Sequence, residues 1–563
     1  MSSLLLNFSL NTNRYDEAVN LCWNLNFTST KNIISIPNEI NNNAKAYRSL
    51  YLSYLDKLND NFNNIKVDKL PYWLLSSVTC KQGSFANPFE IKNAIKLIYL
   101  ETFLKQNSFN KVILIGNVDI RIILVIKSLL KNYKIELVNK STTKRFNRIR
   151  KYFSILKTFW KLIFNTRKKL KKNLNIKSLL IDYSSSNRQI NYWNDLINNF
   201  ERKNVLKLNI DIDSKMCSYS NNDEFKSILL YNNYSFWEVI KKYFKINSLY
   251  KNFNDFNLFD YNDRLNLRPL YSELIFKDFI GSNALFNAIT ISSLKNILNK
   301  HPNISLIIYP RENQAWERIL LFYNKNRSIS IGNLHAGFKY WDLRNYLNES
   351  KYLKQNSMIP SIFTLYSKKL IDILKNDKIF SNENFQFVES LRLKKYKRPT
   401  NSTIEFKGLL VILDYDTDSS IQQINLVLGF MKKYNISNVS FKAHINNHEF
   451  LSVKYTSIKF EKRNLDDLVN SSSHFFCSNN TTLSLELISS GLNTSIMDSG
   501  SNLDMDPSKI YGVETKKIKS EEDLLGFIKL SQPNLNIDLF KLDDDFKLWK
   551  KLLKSYNNEI LIN

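Results

Sequence analysis

Short apolar runs rich in branched side chains alternate along most of the chain with longer segments whose apolar residues recur every three or four positions. The runs suit buried parallel strands, and the longer segments suit helices packed over them. In the first part, residues 4–7, 112–116 and 135–138 read as strands. Residues 15–25, 46–62, 88–106 and 119–131 read as helices. Strands follow at 178–183 and 205–209, and then a mostly helical insertion over 219–300. A central stretch, 305–344, reads strand, helix, strand and loop. A second alternation begins near Phe406, with strands at 408–413, 439–442, 474–477 and 494–497. The pattern predicts an α/β protein with two Rossmann-like domains facing across a cleft. Residues 1–400 form the first and 405–538 the second, and residues 539–563 form a C-terminal helix that packs back on the first.

In open parallel sheets, ligands sit outside the carboxyl ends of the strands. The two strands of the central stretch end in Arg311-Glu312-Asn313-Gln314 and in Gly332-Asn333-Leu334-His335, so both deliver polar tips to one edge. A carboxylate and an imidazole converging there suit proton transfer or charge stabilisation. Glu317 lies one turn further on, and Arg344 follows in the loop. The plainer alternative makes Glu312 a helix cap and His335 a loop histidine. In the second domain, Ser478, Asn480, Thr481 and Thr482 feed a helix, whose free N–H groups suit a phosphate. Lys442 and His444 end another strand, Thr417 and Ser419 end the first, and Glu486 is placed to accept from ribose hydroxyls.

Composition narrows this picture. Only 11 glycines occur among 563 residues, and neither a dinucleotide fingerprint nor a P-loop is present. The four cysteines form no C-x-x-C pair, which argues against a zinc site or disulfide framework and for a reducing cytoplasm. No apolar run reaches the ~20 residues of a bilayer-spanning helix. The net charge is +28, and half of it lies in 137–181, which holds 14 basic residues and no acidic one. There, residues 140–173 predict a basic amphipathic helix with Phe153, Trp160 and Ile163 on its apolar side. That combination suits an anionic membrane surface better than nucleic acid.

Two Rossmann-like domains, one with a phosphate-holding turn and one with a Glu/His pair, describe a GT-B glycosyltransferase. Lys442-Ala443-His444 followed by 478–482 resembles motifs of bacterial transferases that use CMP-activated sugars, with Ile445 where proline is usual. The whole chain resembles a family of bacterial surface-carbohydrate biosynthesis proteins. PYWLLS (71–76), VILIGN (112–117), Tyr192-Trp193, ENQAWE (312–317) and GNLHAGFKYWDLR (332–344) carry that resemblance. It implies transfer of a 3-deoxy-ulosonic sugar, of pseudaminic, Kdo or sialic type, from a CMP donor to a capsule or lipopolysaccharide acceptor. On this basis Glu312, His335 and Glu317 are the candidate catalytic residues, and Arg311, Asn313, Gln314 and Arg344 hold the sugar. Lys442, His444, Ser478, Asn480, Thr481, Thr482, Glu486, Thr417 and Ser419 hold the nucleotide. No metal or cofactor is expected, since the CMP-sugar is a co-substrate. The expected partners are a glycan or lipid-linked glycan and an anionic membrane, with no nucleic acid, on the cytoplasmic face of the inner membrane. The alternatives are a transferase or epimerase using a UDP- or GDP-sugar, and a non-enzymatic assembly protein that binds membrane or nucleic acid.

Overall fold

The computed structural model describes residues 3–556 apart from 9–17, 25–28, 31, 82–83, 85–87, 140–141, 145–174, 185–191, 212–225, 254–256, 263, 347–349, 377–384, 397–405, 499–502 and 530–537. The expected basic amphipathic segment lies almost wholly outside the described residues. Three parallel sheets follow one another along the chain. The first has β1 (Ser3–Asn7), β2 (Ala18–Cys22), β3 (Ile33–Ser35), β4 (Lys111–Ile115) and β5 (Glu136–Asn139), in the order β3-β2-β1-β4-β5. The second has β6 (Ser178–Ser184), β7 (Val205–Asp211), β8 (Lys226–Leu229), β9 (Leu306–Pro310), β10 (Ile329–Asn333), β11 (Ile362–Leu365) and β12 (Phe385–Phe387). Its order is β8-β7-β6-β9-β10-β11-β12. The third has β13 (Leu409–Ile412), β14 (Val439–Lys442), β15 (His474–Cys477), β16 (Asn493–Met497) and β17 (Lys516–Ile518), in the order β14-β13-β15-β16-β17.

Strands covered on both faces need continuous apolar runs. β9 is buried at all five positions, and β13 and β15 at all four. The second and third sheets are the two expected Rossmann-like units. Residues 1–400 differ from the expectation in one respect: they carry two large parallel sheets, because the five strands of the first hydrogen-bond only among themselves. The expected helical insertion also begins with a strand, β8, ahead of the helices Phe236–Ser248, Arg268–Phe279 and Ser282–Lys300.

Strand order reverses between β6 and β9 in the second sheet and between β13 and β15 in the third. Such reversals open the crevice where ligands bind. Four helices frame these reversals or cover the sheets beside them: α1 (Ala315–Asn324), α2 (Thr417–Tyr434), α3 (Leu483–Ser489) and α4 (Lys547–Tyr556). α4 returns to the second sheet. Its Trp549 is fully buried, meets Trp193 edge-on at 6.3 Å and donates its indole N–H to the Glu389 carbonyl at 2.9 Å. The Glu389 carboxylate receives the backbone N–H groups of Leu548 and Trp549 at 2.8 and 3.1 Å. It thereby satisfies donors that a helix start leaves free.

Candidate active site

Glu312 follows β9 and stands at the strand-order reversal of the second sheet. Its Oε1 lies 3.2 Å from His335 Nε2. Its Oε2 accepts from Gln314 Nε2 at 2.6 Å and from the Tyr183 hydroxyl, at the end of β6, at 3.4 Å. Arg344 Nη1 is 3.9 Å from the same oxygen. Arg344 is itself fixed by two bonds to Asp342, from Nε at 2.8 Å and Nη2 at 2.7 Å. Ser84 donates to Asp342 at 3.1 Å, tying this loop to the first third of the chain. Burial alone would raise the Glu312 pKa, but His335, Arg344 and Gln314 together hold it at about 2. Burial lowers the His335 pKa below its ordinary value despite the neighbouring carboxylate. At neutral pH the pair is therefore a carboxylate hydrogen-bonded to a neutral imidazole. The His335 side chain is 2% exposed and that of Glu312 is 20% exposed, so the carboxylate faces the cavity and the imidazole stands behind it.

Glu317 belongs to the support of this loop. Its Oε1 accepts the backbone N–H groups of Glu312 at 2.8 Å and Gln314 at 2.9 Å, completing a capping box at the start of α1. Burial raises its pKa to about 7. Asn313 takes a left-handed conformation, φ +56°, which asparagine tolerates better than most side chains. Its Oδ1 accepts from Arg318 Nη2 at 2.8 Å, and Arg318 also donates to the Leu74 carbonyl at 2.5 Å. The backbone that aims Glu312 is thus fixed from below by Glu317 and Arg318.

A cavity of about 620 Å³ opens beside Glu312. Tyr183, Gln314, Trp316 and Arg344 line it from the second sheet, and Tyr415 and Asn446 from the third. The carboxyl ends of both sheets therefore meet in one cleft, which is the GT-B arrangement. Contacts across the seam are close. Lys339 donates to the Asn480 carbonyl at 2.5 Å and to its Oδ1 at 2.6 Å. Burial lowers the Lys339 pKa to about 8. A Cβ at Gly337 would run into the Thr482 side chain.

Several expected site residues do other work. Arg311 lies over the Phe363 ring at 4.5 Å and does not line the cavity. Asn313 lines it, but its amide oxygen is taken by Arg318. Glu317 and His335 do not line it, and they act as positioning residues beneath and behind Glu312. Lys442 Nζ donates to the carbonyls of Arg463 at 2.6 Å and Glu461 at 3.2 Å, because β14 is an edge strand flanked by that loop. Thr417 donates to Asn447 at 3.1 Å, and Ser419 donates to Asp416, the N-cap of α2, at 2.8 Å. Thr481 Oγ1 accepts the Leu483 N–H at 3.3 Å at the start of the seven-residue α3. Glu486 faces the segment between β12 and β13, where Tyr396 donates to it at 3.4 Å, and burial raises its pKa to about 8. His444 stays near the cavity, edge-on to Tyr415 at 5.1 Å. Ser478 is buried, and its hydroxyl has no partner among the described residues.

Tyr183, Ser84, Lys339 and Asp342 belong to the site and are not evident from the sequence. Only Asp342 carries a signal there, its place two residues before Arg344 in the loop after His335. Arg392, in the segment between β12 and β13, lies over Tyr192 at 5.2 Å, and Tyr192 in turn meets His335 edge-on at 4.7 Å.

No family model and no curated protein matches the chain. Solved structures similar to it include S. aureus MnaA with UDP, at 9% identity and TM-score 0.38, over 68% of this chain and 98% of that one. The calicheamicin glycosyltransferase CalG4 is similar at 8% identity and TM-score 0.35, over 63% and 89% respectively. The spinosyn forosaminyltransferase SpnP is similar at 11% identity and TM-score 0.32, over 63% and 90%. At those values the likeness is confined to the coarse chain path.

Proposed function

We propose that this chain is a GT-B glycosyltransferase that moves a sugar from a nucleotide-activated donor to a surface-carbohydrate acceptor. The donor we propose is a CMP-activated 3-deoxy-ulosonic acid, on the strength of the resemblance of 442–444 and 478–482. One observation carries the catalytic part: an ionised carboxylate, Glu312, sits at a strand-order reversal and faces a cavity shared with the other sheet's carboxyl edge. The nucleotide end of the donor rests against Tyr415, His444 and Asn446, and the anomeric carbon is presented to Glu312. As the bond from that carbon to the CMP phosphate oxygen breaks, positive charge develops on the sugar ring. A carboxylate with a pKa of about 2 is a weak proton acceptor, so its main effect is to stabilise that charge. His335 and Arg344 keep it ionised and aimed. The acceptor hydroxyl attacks from the side lined by Asn283 and Asn287 and loses its proton to solvent.

Donor turnover by the full chain should be compared for CMP-, UDP- and GDP-sugars. Turnover of a CMP-ulosonic acid, abolished in Glu312→Gln, supports the proposal. Turnover of UDP-sugars alone transfers the activity to the UDP-sugar alternative. The basic segment 140–173 is proposed to hold the enzyme on the anionic cytoplasmic face of the inner membrane. Co-sedimentation with anionic vesicles should fall when Phe153, Trp160 and Ile163 are replaced by Ser, and unchanged binding would dispose of that role.

A further inference from the structure

A second cavity, about 650 Å³, lies beyond the carboxyl ends of β11 and β12 and shares no lining residue with the Glu312 cleft. Five stretches build it: the turn from β11 into the helix Lys368–Asn376, Phe387 at the end of β12, Lys395, the tyrosine turn at Tyr511, and residues 538–542 on the way to α4. Its floor is aromatic and preformed. The hydroxyls of Tyr366 and Tyr511 lie 3.0 Å apart, and Tyr366 also bonds the Ala336 carbonyl at 3.0 Å. The Lys541 N–H donates to the Tyr366 carbonyl at 2.9 Å, and the Ser390 N–H donates to the Lys541 carbonyl at 2.8 Å, pinning the returning chain. Phe540 is buried, edge-on to Tyr366 at 6.4 Å.

Four lysines stand around this floor, Lys368, Lys369, Lys395 and Lys541, against one carboxylate, Asp538. Asp538 pairs with Lys395 at 2.5 Å, and Lys369 donates to the Tyr511 carbonyl. Lys368 and Lys541 form no ion pair within 4 Å among the described residues, and Lys368 sits 5.6 Å from the centre of the Phe387 ring. Lys368 and Lys369 also occupy the first turn of their helix, which has no acidic residue there. Cations at that end oppose the helix dipole, so the helix gains nothing from them. Positive charge concentrated where secondary structure disfavours it points to a ligand that supplies the negative charge.

We propose that this cavity binds an acidic oligosaccharide. Sugar carboxylates would lie on Lys368 and Lys541, and a pyranose face would cover the half-buried Phe387 ring. Lysine is a compact point charge on a flexible stem, so each can meet one carboxylate of the ligand. The volume falls within the range that encloses a few sugar rings. Such a site would hold a polymer bearing acidic residues while its end is used elsewhere. The proposal stands apart from the donor chemistry at Glu312.

The test uses the full chain and titration calorimetry at low and moderate salt, with trigalacturonate as probe and neutral trigalactoside and inorganic pyrophosphate as comparators. The double substitution Lys368→Glu with Lys541→Glu should weaken trigalacturonate at least tenfold. The exposed control Lys127→Glu with Lys131→Glu should change it less than twofold. Glu312→Gln should bind as the wild type does, and the Lys368/Lys541 variant should keep any donor hydrolysis the wild type has. Equal loss in both double variants would mean that only the overall charge of the chain was felt, and would overturn the site. Pyrophosphate binding as tightly as trigalacturonate would also overturn it, in favour of a phosphate site. Equal affinity for the neutral trisaccharide would remove the role of the lysines.

Discussion

The two walls of the cleft use the same kinds of side chain to opposite ends. On the wall from the second sheet, Glu312, Gln314, His335, Asp342 and Arg344 bond one another and leave one carboxylate edge facing the cavity. On the wall from the third sheet, Thr417, Ser419, Lys442 and Thr481 bond nearby loops and helix starts. A hydroxyl or carboxylate within reach of a helix start satisfies an orphan N–H first. At the start of α1 that need is met by Glu317, and this releases Glu312 for other work. A polar strand end is thus left to face the cavity when a neighbour relieves it of capping.

The largest effect expected from breaking this contrast is on turnover. Glu312→Gln keeps the shape of the site and removes the charge, so kcat should fall by about 10²–10³-fold, the range for losing one preorganised charge-stabilising group. The thermal midpoint should barely move. Survival of full activity would make the first wall as structural as the second.

Glu317→Gln separates support from chemistry through pH. The folded-state pKa of Glu317, about 7, lies above the ordinary 4.5, so between those values the folded chain keeps a proton that the unfolded chain has lost. Its contribution to stability is therefore fully present below pH 4.5 and is lost as pH rises through about 7. Glutamine still accepts the two N–H groups but does not titrate. Denaturant midpoints at pH 4.5 and 7.5 should differ less in the variant, by up to about 3 kcal/mol of unfolding free energy. An unchanged difference would show that Glu317 is not buried as described.

Gly337→Ala tests whether the walls must approach closely. The added methyl meets Thr482, so the seam should loosen at a cost of about 2 kcal/mol, typical of an overpacked contact. Pairing it with Thr482→Ser should recover part of the loss in the same denaturant titration. The smallest effect is expected for Lys442→Ala. With Nζ on the carbonyls of Glu461 and Arg463, it should change stability by under about 0.5 kcal/mol and KM for donor by less than twofold. A tenfold rise in KM would return Lys442 to the donor site.

Apolar runs made the strands legible. Val439–Lys442 and His474–Cys477 match the expected bounds, and Leu306–Pro310 is shifted by one residue, with Pro310 ending the strand. The partition of residues 1–400 into two sheets was not legible, because strand pairing is set by partners far along the chain. The last helix was expected from 539 but begins at Lys547, since Lys541 spends its backbone N–H on Tyr366. The meeting of Glu312, His335 and Arg344 was legible because all three lie in one stretch of the chain. Tyr183 and Ser84 were not, since each reaches the site across more than 100 residues, 129 for Tyr183 to Glu312 and 258 for Ser84 to Asp342. The supporting role of Glu317 was hidden because a capping glutamate and a catalytic one look alike in a sequence.

α4 covers one face of the strands that carry Glu312 and His335. Leu180, Leu306, Ile308, Ile331 and Ile362 are buried in one cluster with Phe546, Trp549, Leu552 and Leu553. During synthesis on the ribosome that face is covered only in part, by Trp193, Leu196 and Phe200, until residue 553 has emerged, long after its own strands have been made. The middle of the protein is therefore finished last, and a premature stop or a protease cut just ahead of Phe546 would uncover the floor beneath the Glu312 cleft, more than 200 residues upstream.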